Sequence, residues 1–429
     1  MMLPWWKQLP FSLLLILFLP IYILAAILPA RRKLFIWGSA PVINMAYWAR
    51  AIDQGVMPTM TIMTGVQPFD APDCYDRVFN DFAPKFLPSQ LRFVLGGCLA
   101  QLYVLRHAKY LGTSCFGMVF GYTQLGWIEP YLYKLAGIKT VVIPFGADGY
   151  IHARIIDTSI LYGLLASRPD WARHEERARK RVEIWKRHAD VMITGLMVDG
   201  IGRWDVTTNQ PMVIDTDLWT AKTDHNDNDG RNGVVRVLHT PSYRGFKGTE
   251  FVIDAVEKLK AEGLLVELVL LEGVPNDQVR QRMQGADMLA EQFLAIGYGV
   301  SGLEGLASGL PVLANLSHEA YTRVFRRFGF LNECPIVSSP PEMLVTNIRA
   351  LVTNPALRRQ LGKASRDFAE KYQSYETARY MFRAVIDKLE GKDVDIMNLF
   401  HPLLSEYNKR RPQVDHPLIE NRLPAEYVQ

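Results

Sequence analysis

The sequence predicts an α/β protein with two Rossmann-like domains, each built on a parallel sheet, behind an apolar N-terminal segment. Three observations predict this class. Short apolar runs typical of buried strands alternate with amphipathic stretches typical of helices. The alternation stops in a polar, glycine-containing stretch at residues 222–233 and then restarts. The chain has 429 residues, enough for two or three domains.

The individual elements follow from these patterns. In the first half, strands are predicted within residues 33–44 and at 59–65, 114–122, 139–148 and 189–195, with a helix at 129–137. In the second half, strands are predicted at 234–240, 264–273 and 310–316. A helix at 249–263 is expected to start at Thr249 as its N-cap, and further helices are expected near 341–352 and 355–392.

Composition excludes several classes of protein. The chain has 48 Lys and Arg against 44 Asp and Glu, a net charge of +4, too small for an overall nucleic-acid binding surface. Hydrophobic residues make up 49% and charged residues 21%, which excludes global disorder and a multi-span membrane protein. Four scattered cysteines form no zinc or disulfide pattern, so buried thiols in a reducing compartment are expected.

The N-terminal segment predicts a membrane anchor. No charge occurs from Gln8 to Ala30, and the apolar run at residues 11–28 nearly spans a hydrocarbon core of about 30 Å. Only Lys7 precedes this run, whereas three cations follow it at residues 31–33. That order favours an uncleaved anchor with the rest of the chain in the cytoplasm. A cleaved signal peptide and a buried core helix remain the alternatives.

Other features bear on how the chain meets the membrane. Trp5 and Trp6 suit an interfacial aromatic belt, and Pro20 is expected to kink the helix, which leaves a spanning and a re-entrant segment both open. Residues 168–188 carry eight Lys and Arg against four Asp and Glu. They are interpreted either as a basic helix on anionic lipid or as a solvated helix with ion pairs.

Two segments carry the residues expected to do chemistry. The first contains Arg244 and Lys247, two cations three residues apart just before a predicted helix N-terminus. Backbone N–H groups and the helix dipole add to their charge, so this segment predicts a site for a diphosphate. The alternative is two surface charges in a loop.

The second segment is a glycine-rich turn that leads into a helix. Gly297, Gly299 and Gly302 let the backbone approach a ligand closely. Glu304 follows at the predicted helix start, where its carboxylate can accept two hydrogen bonds from a ribose diol. The alternative is a first-turn Glu that stabilises its own helix.

Together the two segments resemble the C-terminal domain of the retaining glycosyltransferases of family 4, of the polysaccharide-assembly type. The matching pieces are Arg244, Lys247 and the following glycine, then "LVLLEG", "GAD" and "GYGVSGLEGLASGLPV". The similarity continues upstream through residues 188–219 and downstream through 343–372, and it is weak in the N-terminal half. The resemblance implies the GT-B fold, in which two Rossmann-like domains face a cleft.

The resemblance also implies roles for individual residues. Arg244 and Lys247 would hold the donor diphosphate and Glu304 the ribose. The donor-binding residues would further include Gly297, Gly299, Gly302, Leu303 and Gly38. Asp148 and His152 would be catalytic residues on the acceptor side. No metal and no cofactor would be needed beyond a UDP- or GDP-linked sugar donor, and transfer would retain the anomeric configuration.

The chain departs from the family pattern at two positions. The family's first Glu, eight residues before the second, falls on Ile296, so Glu291 and Gln292 nearby are alternative sugar contacts. Phe145 stands where the family commonly has His. His152 is interpreted either as a substitute acceptor contact or as a hydrogen-bonded structural histidine.

The expected function is that of a membrane-anchored glycosyltransferase. It would move a sugar from a nucleotide-sugar donor to a lipid-linked or glycan acceptor, in cell-surface polysaccharide biosynthesis and without nucleic acid. The alternatives are an inactive GT-B scaffold in a polysaccharide-assembly complex and a GT-B epimerase. The expected domains are an anchor at 1–32, an acceptor domain at 33–215, a donor domain at 216–372, and a C-terminal helix with an extended tail at 373–429 that crosses back to the N-terminal domain.

Overall fold

The computed structural model describes residues 5–68, 70–196 and 200–428. Within these ranges the side chains of residues 5–7 and of Ala147 are not described. The predicted interfacial positions of Trp5 and Trp6 therefore lie outside the described side chains.

The first domain is built on a seven-stranded parallel sheet with the order β3-β2-β1-β4-β5-β6-β7. Its strands are β1 Leu34–Ser39, β2 Thr59–Met63, β3 Arg77–Val78, β4 Ala108–Thr113, β5 Lys139–Val142, β6 Val191–Thr194 and β7 Val206–Thr207. Its helices are α1 Trp5–Ile27, α2 Ile43–Asp53, α3 Ser89–His107, α4 Glu129–Ala136, α5 Gly146–Gly149, α6 Thr158–Ser167, α7 Pro169–Arg173 and α8 Glu175–His188. Parallel neighbours require crossover connections, which these helices supply.

The second domain is built on a five-stranded parallel sheet with the order β12-β11-β10-β8-β9. Its strands are β8 Val235–His239, β9 Val266–Leu270, β10 Met288–Ile296, β11 Val312–Asn315 and β12 Val337–Ser338. The helices after β8 are α9 Arg244–Lys247, α10 Thr249–Ala261, α11 Asn276–Gln284, α12 Val300–Ala307, α13 Glu319–Phe328, α14 Leu344–Thr353, α15 Pro355–Tyr372 and α16 Tyr375–Leu389. The strands are largely buried and apolar, as expected where helices cover both faces of a sheet.

The strand predicted at residues 114–122 is wrong. That stretch is a buried loop, and the strand, β4, lies just before it. Gly117 has φ +65°, a conformation that does not continue a strand. The buried Glu129 carboxylate accepts hydrogen bonds from the N–H groups of Met118 (2.7 Å) and Val119 (3.2 Å). A side chain, and not a neighbouring strand, therefore satisfies this backbone.

Several other local predictions are corrected. The stretches 168–188 and 355–392 each form two helices, and the segment with Arg244 and Lys247 is the short helix α9, not a loop. Thr249 is not an N-cap: Gly248, with φ +74°, separates α9 from α10. The Thr249 hydroxyl instead hydrogen-bonds His239 Nε2 at 2.9 Å. Strands β3, β4, β7, β10 and β12 were not predicted.

The last helix and the tail tie the two domains together. Phe382 on α16 packs edge-on against the rings of Phe35 and Trp37 in β1, with centroids 6.1 and 5.4 Å away. Further along, the tail returns to the second domain, where Asn421 Nδ2 donates to the Cys334 carbonyl at 2.7 Å. The C-terminal residues therefore contact both domains.

All four cysteines are buried, as predicted, and form no disulfide with one another. The apolar N-terminal run is the helix α1, which continues through Pro10 and Pro20. Among the described residues, α1 is the one helix long and apolar enough to cross a membrane, by length and composition only.

Candidate active site

Segments next to predicted residues of both domains meet at one place. Helix α6 of the first domain packs on α9 and β10 of the second. Its last residue, Ser167, accepts a hydrogen bond from the Phe246 N–H at 2.9 Å. The Tyr150 ring lies 6.2 Å from the Phe246 ring, in an apolar cluster that also contains Ile296. Phe246 lies between Arg244 and Lys247, so these contacts place α9 against the first domain at the boundary between the two domains.

Lys247 lies buried at the centre of this region. Its Nζ contacts the Glu291 carboxylate, Gln292 Oε1 at 3.0 Å and Ser301 Oγ at 3.4 Å. The three contacts match the three N–H donors of an ammonium group. A buried charge needs such partners, because an unpaired one would lose its hydration without compensation.

Gly299 completes this cluster through its backbone. Its N–H donates to Glu291 Oε1 at 3.3 Å, and the Ser301 hydroxyl donates to the same oxygen at 2.8 Å. A Cβ at Gly299 would lie 3.5 Å from Lys247 Nζ. Because Gly299 has no side chain, only its backbone occupies the space beside the Lys247 ammonium group.

Glu291 has an acceptor to spare. Its Oε2 is buried and has no hydrogen-bond partner among the described residues. The register of β10 against β11 shifts on either side of Gln292, and such irregularities re-aim side chains. Glu291 and Gln292 were predicted as alternative sugar contacts near the glycine-rich turn. Their spacing along the sequence gave no sign that they bind Lys247.

Arg244 lies nearer the surface. Its guanidinium group is bound by two carboxylates, Glu250 at 2.8 Å and Glu272 at 2.9 Å, and its side chain is 43% exposed. An Arg has five N–H donors, and these contacts use three of them. Donors therefore remain for an anion, but two negative charges already stand beside the group.

Glu304 is buried in the second turn of α12, not in its first turn as predicted. The helix dipole acts mainly within the first turn, so it gives this carboxylate little help. Burial raises the pKa of Glu304 to about 7, opposed by a hydrogen bond from Asn276 Nδ2 at 2.7 Å. Asn276, the first residue of α11, had no distinguishing signal in the sequence.

Tyr47 brings the first domain close to this carboxylate. Burial and, after it, the nearby Glu304 carboxylate raise the pKa of the Tyr47 phenol. Tyr47 lies on α2, about 250 positions from Glu304, and the sequence gave no reason to connect them.

The remaining residues of the turn have different surroundings. Gly297 has φ +93°, which favours glycine, and its N–H donates to the Asn315 carbonyl at 2.9 Å. A Cβ at Gly302 would lie 3.0 Å from Tyr298 Cβ. The Leu303 side chain is fully buried in the core, so only its backbone is available to a ligand.

Asp148 is fully buried in the first domain. One oxygen accepts from the Phe145 N–H at 2.8 Å and the other from the Cys115 N–H at 2.6 Å. Burial raises the pKa of Asp148 to about 6, and these bonds and the Arg181 guanidinium group oppose the shift. The carboxylate thus ties the turn after β5 to the loop after β4.

His152 differs from a hydrogen-bonded structural histidine. The residue is 7% exposed, and neither ring nitrogen has a hydrogen-bond partner among the described residues. Burial lowers the pKa of His152, although the Glu175 carboxylate acts in the opposite direction. A neutral imidazole with two unused nitrogens therefore lies in the segment that contacts the second domain.

Gly38 lies near the carboxyl end of β1. A Cβ there would lie 2.5 Å from the Ile62 carbonyl oxygen and 2.6 Å from Met118 Sδ. Packing inside the first domain therefore already requires glycine at this position.

In the part of the chain that the structure describes, no group of three or more His, Cys, Asp and Glu side chains is placed to hold a metal ion.

Comparison with known proteins rests on structure alone, because no protein-family model and no curated protein matches the chain. The sucrose-phosphate synthase of Thermosynechococcus elongatus is similar in structure, with a TM-score of 0.52 at 14% identity over 84% of this chain and 100% of that one. WaaG, a glycosyltransferase involved in lipopolysaccharide biosynthesis, has a TM-score of 0.40 at 16% identity over 83% and 98%. The wall teichoic acid polymerase TagF has a TM-score of 0.37 at 9% identity over 91% and 99%.

The TM-scores of WaaG and TagF lie below 0.5, so we use only the similarity to the sucrose-phosphate synthase. At 14% identity this similarity indicates a shared fold and nothing more. The chain has the GT-B fold: two parallel-sheet α/β domains that face a cleft, preceded by one apolar N-terminal helix.

Proposed function

We propose that this protein is a retaining, metal-independent glycosyltransferase that moves a sugar from a UDP- or GDP-linked donor to a lipid-linked or glycan acceptor at a membrane, in cell-surface polysaccharide biosynthesis. The observation that carries the proposal is the Lys247 cluster. A buried cation, a backbone turn without side chains and a carboxylate with a free oxygen lie together at the carboxyl ends of β8 and β10. Ligands of open α/β sheets bind at such ends.

Lys247 and Arg244 would hold the donor diphosphate. The bond from Lys247 to Ser301 is the longest of its three at 3.4 Å, and hydrogen bonds weaken at that length. A phosphate oxygen would replace Ser301 there while Glu291 and Gln292 keep Nζ in place. As the bond between the sugar and the phosphate breaks, the diphosphate takes the electron pair, and a fixed ammonium group stabilises the charge that develops.

Glu291 would take the sugar contact that the family's first Glu supplies and that Ile296 cannot. Its Oε2 is buried next to the glycine turn and accepts no bond from the described residues, so it is free for a sugar hydroxyl. The acceptor would enter from the first domain, past His152. Its hydroxyl would attack the face from which the diphosphate leaves, and the departing phosphate oxygen on that face would accept its proton.

A screen of nucleotide sugars tests the proposal. Purified full-length protein is incubated with single UDP- and GDP-sugars and with lipid-linked glycan acceptors, and the released nucleoside diphosphate is measured. We expect release from one donor class only, dependent on acceptor. Absence of release from every donor, together with no binding of UDP or GDP, would contradict the enzyme assignment.

A second candidate function is an inactive GT-B scaffold. The observation that favours it is charge compensation, since Glu291 neutralises Lys247 and two carboxylates neutralise Arg244. The same screen separates the two functions. A scaffold would release no diphosphate, whereas an enzyme would release it only from the correct donor.

The carboxylates beside Arg244 give a first prediction. If the guanidinium group binds the donor, Glu250 and Glu272 compete with the diphosphate. Glu250→Gln combined with Glu272→Gln is expected to tighten binding of the nucleotide sugar about two- to fivefold, the scale of exposed ion pairs. Isothermal titration measures this affinity. Glu257→Gln, an exposed change on the same helix, is the control, and an unchanged affinity in the double variant would place Arg244 outside the donor site.

The raised pKa of Glu304 gives a second prediction. Only the ionised carboxylate accepts both ribose hydroxyls, so affinity for a nucleotide sugar is expected to rise about tenfold from pH 6 to pH 8 as the group with pKa about 7 ionises. A nucleotide sugar is the right probe because its diphosphate does not titrate in this range. Glu304→Gln is expected to bind weakly with a flat pH profile, and a rise that persists in this variant would refute the ribose role.

The same shift has a consequence for stability. The folded chain keeps a proton on Glu304 that the unfolded chain loses near pH 4.5, so this group's contribution to stability falls as the pH rises from about 4.5 to about 7.

A further inference from the structure

Helix α1 has two opposite apolar faces. Phe11, Leu15, Tyr22 and Ala26 are spaced by four, seven and four residues, and all are buried. Leu13, Leu17 and Leu24, together with Leu28 directly after the helix, have the same spacing and form the opposite stripe, and all are exposed. At 3.6 residues per turn these stripes lie about 180° apart. We call them the inner face and the outer face.

The inner face is part of the core of the first domain. The Phe11 ring lies 6.4 Å from the Phe93 ring of α3. Tyr22 packs edge-on against Phe120 at 5.9 Å, and its hydroxyl donates to the Cys98 carbonyl at 3.0 Å. These contacts run along most of the helix, so α1 is docked by its length and not only at one end.

Two arginines fix the C-terminal end of α1. Arg32 Nε donates to the Leu105 carbonyl of α3 at 2.8 Å, and Arg32 Nη2 donates to the Ala26 carbonyl at 3.1 Å. Arg106 of α3 donates to the carbonyls of Leu28 at 3.2 Å and Pro29 at 3.0 Å. The last carbonyls of a helix lack partners within it, and here Arg32, which follows α1, and Arg106 of α3 bind carbonyls at and just after this end.

This docking disfavours a helix that crosses a bilayer. If α1 crossed while docked, α3 with Arg92 and Arg106 would be drawn into hydrocarbon, where charged side chains are costly. If α1 undocked in order to cross, the apolar surface of the first domain that now covers Phe11, Leu15 and Tyr22 would be exposed to water. Both routes are unfavourable, whereas a helix parallel to the surface keeps every contact.

The outer face needs an apolar partner. Leu17 is 71% exposed. An open groove around Pro20, which shares Leu24 with the outer face, is lined by apolar residues of α1 alone. Contiguous exposed apolar surface of this kind marks an interaction site. Arg31 and Lys33 follow directly, are exposed, and have no ion pair among the described residues. Two free cations beside an apolar face are complementary to an anionic lipid surface.

We propose that α1 is a monotopic anchor. It lies parallel to the surface of an anionic leaflet, with its outer face among the acyl chains, its inner face in the protein, and the N-terminus on the same side of the membrane as both domains. The proposal concerns attachment only and does not rest on the sugar-transfer chemistry proposed above.

Topology is tested on the full chain in cell membranes. A tag and a site for a sequence-specific protease are placed before Met1, and a second tagged site after Gln429. Sealed membrane vesicles with the cytoplasmic face outward are then treated with the protease. We expect both tags to be released without detergent. Release of the N-terminal tag only after detergent, with the C-terminal tag released before it, would show a spanning helix and overturn the proposal.

Vesicle flotation tests the outer face and the lipid. A triple variant with Leu13→Glu, Leu17→Glu and Leu24→Glu is expected to bind phosphatidylglycerol-containing vesicles at least tenfold more weakly. The three leucine side chains are exposed and would enter the acyl region, where charged replacements are unfavourable. Leu403→Glu, at a position 87% exposed in the tail, is the matched control and is expected to bind normally. Unchanged thermal unfolding of the triple variant shows that the fold is intact.

Two further measurements, of lipid charge preference and of self-association, identify what the outer face binds. Binding to pure phosphatidylcholine vesicles is expected to be about fivefold or more weaker than to anionic vesicles, and Arg31→Ala with Lys33→Ala is expected to reduce that difference. Equal binding to both vesicles would overturn the anionic-leaflet assignment. Lipid-free dimers that the triple variant abolishes, without vesicle binding by the unaltered chain, would assign the outer face to a second copy.

Discussion

Lys247→Met is expected to lower turnover about 10²- to 10³-fold, measured as release of nucleoside diphosphate. The ammonium group is fixed by Glu291 and Gln292 before the donor arrives, so it needs no reorganisation as charge builds on the leaving diphosphate. Removing one such preorganised donor has an effect of this size. Lys258→Met removes a lysine from the exposed face of α10, where it pairs with Asp254, and is expected to leave turnover unchanged.

Loss of turnover in Lys247→Met could also come from a loss of stability, and a second variant separates the two causes. Lys247→Met leaves the Glu291 carboxylate buried without its cation, and breaking a buried pair costs about 3–5 kcal/mol of the free energy of unfolding. Lys247→Met combined with Glu291→Gln removes both charges and is expected to regain much of that loss. Affinity for UDP or GDP should stay low in this folded double variant. Near-normal affinity in it would show that Lys247 does not bind the diphosphate.

Glu291→Gln alone is expected to lower turnover about 10- to 100-fold without weakening the binding of UDP or GDP. The change removes a charged acceptor from a sugar hydroxyl, and hydrogen bonds to charged groups are worth about 1.5–3 kcal/mol. It also releases Lys247 from its competing carboxylate, so affinity for the free diphosphate should be equal or higher. Titration with UDP or GDP and a turnover assay with the nucleotide sugar measure the two effects separately.

Ser301→Ala is the matched control for Glu291→Gln. Ser301 touches the same two charged groups, through bonds of 2.8 Å to Glu291 and 3.4 Å to Lys247, but brings no charge. Its turnover is expected to stay within a few-fold of the unaltered chain. If Glu291→Gln lost diphosphate affinity and turnover in parallel, Glu291 would be a positioning residue for Lys247 and not a sugar contact.

Much of the fold could be predicted from local patterns. Strands β1, β2, β5, β6, β8, β9 and β11 and helix α10 fall within the predicted segments, because their apolar periodicity reflects which face each element buries. The loop at residues 114–122 was mistaken for a strand because it is equally buried and apolar. What distinguishes it is the Glu129 carboxylate that binds its N–H groups, a contact no local pattern encodes.

The candidate site was predicted less completely than the fold. Arg244, Lys247, Glu304 and the glycine turn were named from order and spacing. Their partners Glu250, Glu272 and Asn276 were not, since a charge or amide in sequence gives no sign of the group it will face. The position of Glu304 within α12 was also misjudged by one turn, which removes the expected help from the helix dipole.

Local patterns were enough to predict the two α/β halves, the apolar N-terminal helix and the segments with cations and glycines, because periodicity and glycine placement act between near neighbours along the chain. The three-dimensional fold was needed to show that Lys247 contacts Glu291, 44 positions away, since that contact depends on β8 and β10 lying side by side in the sheet. It also decided which face of α1 the protein covers. Hydropathy measures how apolar a segment is, whereas the direction of each face is fixed by the helices packed against it.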